Sequence, residues 1–490
     1  MNRRLALAFA GVAAALVLPA AALAFDNLEP LAAKEWYLEQ DQAWTYWSTP
    51  PKLVPVKVAV IDSGIDGSHP EFVGRVVAAR SFVGGSPYRD DQGHGTFVAG
   101  EIGANPFNGE GMAGLAFNAQ LMIAKVVGAD GNVSLQGEVA AIHWAVDNGA
   151  RVINLSLGGV RDPLDQSLDT YSPLEQAAIE YAYSKGAVVV AAVGNGPQSP
   201  ETPWNFAHYP SALPHVIGVS AIRQDGSVPD YSNRDTVYND IAAPGDAMFS
   251  TIPQNLLDAT RPGCTAHPYA DCGPFEFRDA IGTSFAAPQV SAAAALLLGV
   301  NPALRPEQVA WLLERSADDA TPTTGCSSCV AGRDRFSGWG TLNVNAALVA
   351  LTTLPLPPVD HYEPNDDAGP WAHALPPLPR TIDATLDYWD DNIDVYRVHL
   401  AKGRRLFARA STTRASTTLR GSIRMALWAP GTVRVEGLDA QEPRLAQSRL
   451  VAGQARLGYR AAKTGTYYLE LKLVQKSRDP VEYSLALARG

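Results

Sequence analysis

Cysteine is scarce in this sequence, with four in 490 residues. That number is too small for a scaffold that depends on disulfides. Basic residues are outnumbered, 39 against 50 acidic ones, and the formal net charge of −11 argues against a nucleic-acid partner. Charged residues make up only 18% and apolar residues 46%, which excludes a disordered polar chain or a coiled coil. The sequence predicts a folded globular protein with two or more domains.

Long hydrophobic runs are absent except at the N-terminus. There, Arg4 precedes an apolar stretch at residues 5–18, and small residues up to Ala24 follow. This pattern predicts a cleaved signal peptide at residues 1–24. A membrane anchor is the alternative, but the stretch is short for a span of about 20 residues and Pro19 interrupts it. We therefore expect a secreted protein, extracellular or periplasmic, with no membrane span after signal removal.

Export makes disulfides the expected state of the four cysteines. Cys264 and Cys272 lie close together in the sequence, as do Cys326 and Cys329. In an oxidising compartment we expect two local disulfides, although four cysteines permit three connectivities. A four-thiolate zinc site is the alternative, but the first pair lacks the two-to-four-residue gap that such sites usually have.

Short β-branched runs alternate with helix-like runs between about residues 56 and 350. The strand-like runs are continuously apolar, which is typical of a parallel sheet that helices cover on both faces. They lie at residues 57–61, 121–127, 152–155, 187–193 and 216–219. Ser172 and Glu175 form a capping box around Pro173, which predicts the start of a helix. We therefore predict a doubly wound α/β domain, a parallel sheet sandwiched by helices, at residues 25–350.

The pattern changes after residue 350. Residues 351–360 are rich in proline and predict a semi-rigid linker. Residues 361–490 contain runs of alternating polarity, such as 395–400 and 467–472, and no convincing helix. This alternation is typical of strands with one buried face, so the sequence predicts a small antiparallel β-sandwich as a second domain.

Four segments place reactive side chains at strand ends or helix starts. Asp62 ends an apolar strand, and His94 lies between two glycines at a predicted helix start. Asn195 follows a β-branched strand, and Ser284 opens an alanine-rich helix. Each residue alone has a structural explanation, such as a turn cap for the aspartate or a helix cap for the serine. Ligands, however, bind at the carboxyl ends of parallel strands, where these segments are expected to meet.

The segment around Ser284 carries the strongest chemical signal. Gly282 permits a backbone conformation and a close approach that a side chain would block. Ser284 would then lie at a helix N-terminus, where free N–H groups and the helix dipole favour developing negative charge. An acid, a histidine and a serine on separate elements of one sheet form the orienter, base and nucleophile of covalent catalysis.

All four segments resemble the subtilisin-like serine proteases, the subtilase family, and the resemblance extends over roughly residues 30–350. The chain order of acid, histidine and serine is also that of this family. The resemblance implies that Ser284 attacks the scissile carbonyl, that His94 takes its proton and that Asp62 orients His94. It further implies that Asn195 and the Ser284 N–H hold the oxyanion.

Two more segments resemble the substrate-binding strands of the subtilases. Residues 153–159 are similar to the strand that lines the primary specificity pocket, and residues 128–133 are similar to the facing strand. The resemblance implies that an extended peptide lies between them and adds a strand through main-chain hydrogen bonds. The implied contact residues are Gly131, Asn132, Val133, Ser156, Leu157 and Gly158.

The function implied by the resemblance is that of a secreted serine endopeptidase of broad specificity. It would act on protein or peptide substrates as a monomer and need no cofactor for catalysis. A dedicated processing protease with few protein targets and a catalytically weak binding homologue are the alternatives. Family members bind structural calcium near the positions of Glu71, Asn105 and Asn108, where a plain polar turn is the other interpretation.

Two departures from the family pattern and one further resemblance remain. Phe285 follows the predicted nucleophile where many subtilases have methionine, and we expect its side chain beside the oxyanion region. The stretch between Phe25 and the first strand is short, so we expect the inhibitory propeptide typical of the family to be absent. Residues 363–366 and 390–396 resemble the bacterial pre-peptidase C-terminal domain, a β-sandwich appended to secreted peptidases.

Overall fold

The computed structural model describes residues 27–256, 277–375, 377–412, 422–435, 444–474, 476 and 478–490. The predicted signal peptide lies outside these residues, and so does the predicted Cys264–Cys272 pair. Cys326 and Cys329 form a disulfide with their Cα atoms 5.3 Å apart, which is the local pairing expected for them.

Seven parallel strands form the central sheet, in the order β2-β3-β1-β4-β5-β6-β7. They are β1 (Val56–Asp62), β2 (Val76–Ser81), β3 (Ala119–Lys125), β4 (Val152–Leu155), β5 (Val188–Ala192), β6 (Val216–Ile222) and β7 (Ile241–Pro244). Every residue of β4 to β7 is buried, which explains the continuous apolar runs in the sequence. The predicted doubly wound α/β fold is confirmed.

Helices cover both faces of this sheet. The described residues contain α1 (Trp36–Gln40), α2 (His94–Gly103), α3 (Leu135–Asp147), α4 (Pro173–Ser184), α5 (Thr283–Val300), α6 (Pro306–Arg315) and α7 (Val344–Thr353). Alternate residues of β1 point into two separate cores, one shared with α2, α5, α6 and α7 and the other with α3 and α4. At the start of α4, the Ser172 hydroxyl accepts the Glu175 N–H, as the capping box predicts.

Helix α5 runs through the larger core. It is the one helix of the described residues that is long and apolar enough to cross a membrane, but 89% of its apolar window is buried inside the fold. Its length and composition are therefore those of a core helix. An antiparallel pair, β8 (Met248–Thr251) and β9 (Phe277–Ala280), lies just before it.

The C-terminal region forms two packed five-stranded sheets. Its strands are β10 (His373–Ala374), β11 (Arg380–Leu386), β12 (Ile393–Leu400), β13 (Arg405–Thr412), β14 (Ile423–Trp428), β15 (Arg444–Gln447), β16 (Arg449–Val451), β17 (Gln454–Arg460), β18 (Gly465–Leu473) and β19 (Val481–Arg489). The sheet orders are β10-β12-β18-β14-β15 and β11-β19-β13-β17-β16. All pairings are antiparallel except that of β10 with β12. The predicted β-sandwich is confirmed, and its boundaries at residues 351 and 361 stay predictions.

The sandwich packs directly against the α/β region. Trp389 is buried in the same apolar core as α5, and its ring lies 6.5 Å from that of Trp311 on α6. Arg478 donates hydrogen bonds from its guanidinium to the carbonyls of Arg315 and Trp339, at 2.8 and 2.6 Å. These contacts join the two regions at the end of the sheet remote from the C-terminus of β1.

Candidate active site

Asp62 and His94 meet at the carboxyl edge of the parallel sheet. Asp62 is the last residue of β1, and His94 is the first residue of α2, preceded by Gly93 with a left-handed φ of 87°. The His94 Nδ1 atom lies 2.8 Å from Oδ1 and 2.9 Å from Oδ2 of Asp62. Because Nδ1–H donates to the carboxylate, Nε2 is the nitrogen that can accept a proton. Both side chains are buried.

Asp90 fixes the start of α2, and the sequence analysis missed it. One carboxylate oxygen accepts the Gly93 N–H at 2.8 Å, and the other accepts the Thr96 N–H at 2.8 Å. The Ser63 hydroxyl, next to the end of β1, also donates to Asp90 at 2.8 Å. Asp90 therefore ties the helix that presents His94 to the strand that presents Asp62. An aspartate three residues before the glycine that precedes a helix is a capping signal, and this signal could have identified Asp90 from the sequence.

Ser284 is the second residue of α5, where the unpaired N–H groups of the helix lie. Gly282 takes a φ of 149° just before it, a conformation that side chains disfavour. The Ser284 hydroxyl donates to the Ser156 carbonyl at 3.2 Å, and the Ser156 hydroxyl donates to the Ser284 carbonyl at 2.6 Å. These reciprocal bonds join the predicted nucleophile to a predicted substrate-binding segment.

A buried chain of hydrogen bonds supports this junction. The Asn154 amide of β4 donates to the Ser156 hydroxyl at 2.9 Å, and Asn154 Oδ1 accepts the Ser291 hydroxyl at 2.8 Å. Ser291 lies on α5, two turns beyond Ser284. These hydrogen bonds attach the first half of α5 to the central sheet. Asn154 and Ser291 were not predicted, because a polar residue within an apolar run carries no signal of its partner.

Asn195 follows β5 and faces the same helix start. Its Oδ1 accepts the N–H and the hydroxyl of Thr283 at 3.0 and 3.2 Å. With the carbonyl oxygen occupied, the amide nitrogen is the donor end of the side chain, and it donates to Gln198 Oε1 at 3.3 Å. A Cβ atom at Gly194 would lie 2.5 Å from His208 Nδ1, so glycine is required next to Asn195.

A cavity of about 370 Å³ joins these groups. Asp62, His94, Asn195 and Ser284 all line it, and so do five of the six predicted substrate-binding residues, namely Gly131, Val133, Ser156, Leu157 and Gly158. Asn132 is not among the lining residues. Its amide donates to Asp130 at 2.7 Å within an exposed turn, so the structure turns this side chain away from the cavity.

Phe285 packs under the predicted base. Its ring is fully buried and lies 5.4 Å from the ring of His94 and 4.5 Å from that of Phe97. The expectation placed this side chain beside the oxyanion region. In the structure its ring contacts His94 and α2. A Cβ atom at Gly282 would lie 3.7 Å from both this ring and the Asn195 amide nitrogen, so Phe285 lies near both the predicted base and the predicted oxyanion donor.

The residues considered for calcium are already engaged in a turn. Glu71 accepts the Met112 N–H at 2.9 Å and the Asn108 amide at 3.2 Å. Asn105 Oδ1 accepts the Phe107 N–H at 3.2 Å. Burial raises the pKa of Glu71 to about 7. Of the two interpretations, these contacts support the polar turn.

The electrostatics of the site centre on His94. Burial lowers the pKa of His94, but the charge of Asp62 and its hydrogen bond raise it by more, so the net pKa lies above 6.5. The arrangement can therefore take up a proton near neutral pH and stabilise the resulting imidazolium.

A buried Asp–His pair and a serine at a helix N-terminus, on a parallel α/β sheet, are the parts of a serine protease. The sequence profile of the subtilase family matches residues 55–340. Subtilisin DY of Bacillus licheniformis is 34% identical over 293 residues, which cover 60% of this chain and 90% of that protein. Subtilisin E of Bacillus subtilis is 35% identical over 294 residues, covering 60% of this chain and 65% of that protein.

Solved structures agree with the sequence comparison. A protease of Pseudoalteromonas arctica matches with a TM-score of 0.53 at 25% identity, covering 67% of this chain and 100% of that chain. A lanthipeptide protease matches with a TM-score of 0.51 at 25% identity, covering 64% of this chain and 94% of that chain. The chain belongs to the subtilase family. It is a serine endopeptidase whose family needs no catalytic cofactor and acts on peptides.

The His94 environment predicts the pH dependence of activity. We expect kcat/KM for a peptide substrate to rise with pH along a titration whose midpoint lies above 6.5, the ordinary pKa of histidine. Only the neutral imidazole accepts a proton, and it predominates above the pKa. In Asp62→Asn the charge that raises this pKa is gone, so the midpoint of the residual activity should move to lower pH. Activity that peaks in the acidic range would contradict this assignment.

The position of Phe285 predicts resistance to oxidants. We expect Phe285→Met to make the enzyme markedly more sensitive to peroxide, because a sulfoxide would place a polar group against the buried face of His94. Phe285→Leu is the matched control, since it also removes the ring but adds no sulfur. The measurement is residual peptidase activity after timed exposure to peroxide. Equal rates of inactivation in the methionine and leucine variants would show that another residue controls the loss.

Proposed function

We propose that Ser284, His94 and Asp62 are the nucleophile, the general base and the orienting acid of this endopeptidase. The observation that carries the proposal is the hydrogen bond between His94 Nδ1 and the Asp62 carboxylate, at 2.8 Å, in a cavity that Ser284 and Asn195 also line. Each of the three groups comes from a different element, and Asp90 and Asn154 hold two of those elements in place.

In the proposed reaction the Ser284 hydroxyl attacks the scissile carbonyl while His94 Nε2 takes its proton. Asp62 holds the imidazole in the required tautomer and stabilises the imidazolium. His94 then returns the proton to the leaving amine, and the acyl-enzyme remains. Water repeats the sequence with His94 again as base, which releases the second product and restores the Ser284 hydroxyl.

Negative charge on the tetrahedral oxygen requires fixed donors. We assign this role to the Asn195 amide nitrogen and the Ser284 N–H at the first turn of α5. Thr283 holds the other end of the Asn195 amide, so the donor needs no reorientation during the reaction. The dipole of the 18-residue helix α5 favours the same charge.

The cavity supports a broad side-chain preference. Its substrate-facing wall is formed by small and apolar residues, Gly131, Val133, Leu157 and Gly158. Asp62 is the one acidic residue in the lining, and His94 covers it. Burial lowers the pKa of His208, another lining residue, to about 4, so it is neutral at physiological pH. Among the described residues that line the cavity, no charge is therefore free to select a charged substrate residue.

A peptide library measures this preference. We expect cleavage after many uncharged residues, with main-chain contacts to residues 131–133 and 156–158 carrying most of the binding. The measurement is the distribution of residues flanking the cut sites. A strict requirement for one charged residue would instead support the dedicated processing protease.

Export is the second part of the proposal. The N-terminal pattern of a basic start, an apolar stretch and small residues supports a cleaved signal peptide. The Cys326–Cys329 disulfide supports an oxidising compartment, because such bonds are rare in the cytosol. We also propose that residues 25–350 form the catalytic domain and residues 361–490 a separate one, since all four predicted catalytic residues precede the linker.

Two substitutions test the catalytic roles. Ser284→Ala should abolish peptide hydrolysis with an unchanged circular dichroism spectrum, because the nucleophile is lost while α5 keeps its packing. Asn195→Ala should lower kcat by about 10²–10³-fold, the effect of losing one oxyanion donor in subtilisin-type sites, with little change in KM. A Ser284→Ala variant with near wild-type rates would remove the assignment.

A further inference from the structure

His215 lies at the opposite edge of the sheet from Asp62. It immediately precedes β6, and because the strands are parallel, the amino end of β6 faces away from the carboxyl end of β1. The His215 backbone has a left-handed φ of 61°, and its ring stacks on that of Tyr183 with the centroids 3.5 Å apart. The imidazole is buried and held in one orientation.

Carboxylates from both regions of the chain surround this imidazole. Glu180 comes from α4, and its Oε2 lies 3.6 Å from His215 Nε2. Asp366 and Glu363 come from the C-terminal region, with oxygens 2.9 and 3.5 Å from the same nitrogen. Asp390, also from that region, lies 3.1 Å from Nδ1. Four buried carboxyl groups thus face one histidine.

Several of these polar atoms have no hydrogen-bond partner. Both carboxylate oxygens of Glu180 lack a hydrogen-bond partner, and the residue is only 2% exposed. His215 Nε2 and Asp366 Oδ2 also form no hydrogen bond, even though they lie 2.9 Å apart. Leaving buried charged groups unpaired is costly, and proteins pair such groups or use them to coordinate metals.

The arrangement has the features of a metal site. Asp390 accepts from Nδ1, which directs the lone pair of Nε2 at the other carboxylates, as outer carboxylates do for metal-binding histidines. Ligand atoms of Glu180, His215 and Asp366 lie within 4.8 Å of one another. A tetrahedral ion with bonds of about 2.0–2.1 Å separates its ligands by about 3.3 Å, and the Nε2–oxygen distances of 2.9, 3.5 and 3.6 Å bracket that value.

The ligand types select the class of ion. Calcium and magnesium are bound by oxygen atoms, whereas an imidazole nitrogen among carboxylates suits a transition ion such as zinc. We propose that His215, Glu180 and Asp366 bind one Zn²⁺ ion, beside Glu363, and that the ion bridges the α/β region and the C-terminal sandwich. The charge of the ion balances the two ligand carboxylates, Glu180 and Asp366, and the ion fixes the sandwich on the amino edge of the sheet.

The alternative is a protonated His215 that forms ion pairs with the surrounding carboxylates without a metal. The two states differ in metal content and in response to chelation. The test uses the full chain, stripped with a chelator and then supplied with zinc alone. We expect one zinc per chain, and a melting temperature that rises by about 2–3 °C when zinc is a hundredfold above its Kd. Peptidase activity well below the melting temperature should not change, because the site lies at the opposite edge from His94.

Variants locate the ion. Glu180→Gln keeps the size of the side chain and should lose both the bound zinc and the zinc-dependent rise in melting temperature. His215→Ala should do the same, and Glu180→Gln carries the test if that variant does not fold. Asp360→Asn is the matched control, because Asp360 belongs to a neighbouring acidic group with Glu363, Asp391 and Asp394. We expect this control to keep its zinc.

Two results would overturn the proposal. Absence of zinc from the wild type after exposure to the metal would leave the protonated histidine as the explanation. If Glu180→Gln retains its zinc, the ion binds elsewhere. If only Asp360→Asn loses its zinc, the ion binds in the neighbouring acidic group.

Discussion

The burial of α5 is the constraint on which the active site depends. All of its residues but Ser284 and Val300 are buried, so the helix cannot shift without opening the larger core. Its first turn carries Ser284, holds the Asn195 carbonyl through Thr283 and meets Ser156. Most of the free energy that stabilises the domain comes from burying apolar surface, and here the same burial fixes the proposed nucleophile and the proposed oxyanion donor.

The parallel sheet supplies the rest of the geometry. Parallel strands end at the same edge of a sheet. Asp62 at the end of β1 and Asn195 after β5 therefore line one cavity, although they are far apart in the sequence. The opposite edge receives the C-terminal sandwich, where His215 meets Asp366. The cluster around His215 thus lies at the edge of the sheet opposite the candidate active site, whereas Arg434 of the sandwich contacts Tyr171 near the cavity.

Local patterns made part of this architecture predictable. The four predicted catalytic residues each lie where a strand ends or a helix begins, namely Asp62, His94, Asn195 and Ser284. The residues around such a boundary carry recognisable start and stop signals, so the boundary can be predicted from the sequence. Asn154 and Ser291 could not be predicted, because their partners are set by how β4 packs on α5. The Asn132 side chain bonds locally to Asp130, and the main-chain pairing predicted for its segment stays a prediction. The cluster around His215 depends on packing between regions, which a pattern along one chain does not encode.

The reciprocal bonds between Ser156 and Ser284 have a consequence for which proteins this enzyme can attack. These bonds join two parts of the site into one rigid unit. One part is the segment proposed to pair with a peptide, which forms a wall of the cavity, and the other is the proposed nucleophilic hydroxyl. A backbone aligned on that wall is thereby positioned for attack, whatever its side chains, whereas a helix or a tight loop cannot align at all. On the proposed mechanism, the enzyme therefore selects extended main chains, and compact folded proteins, its own fold included, are protected by their shape rather than by their sequence.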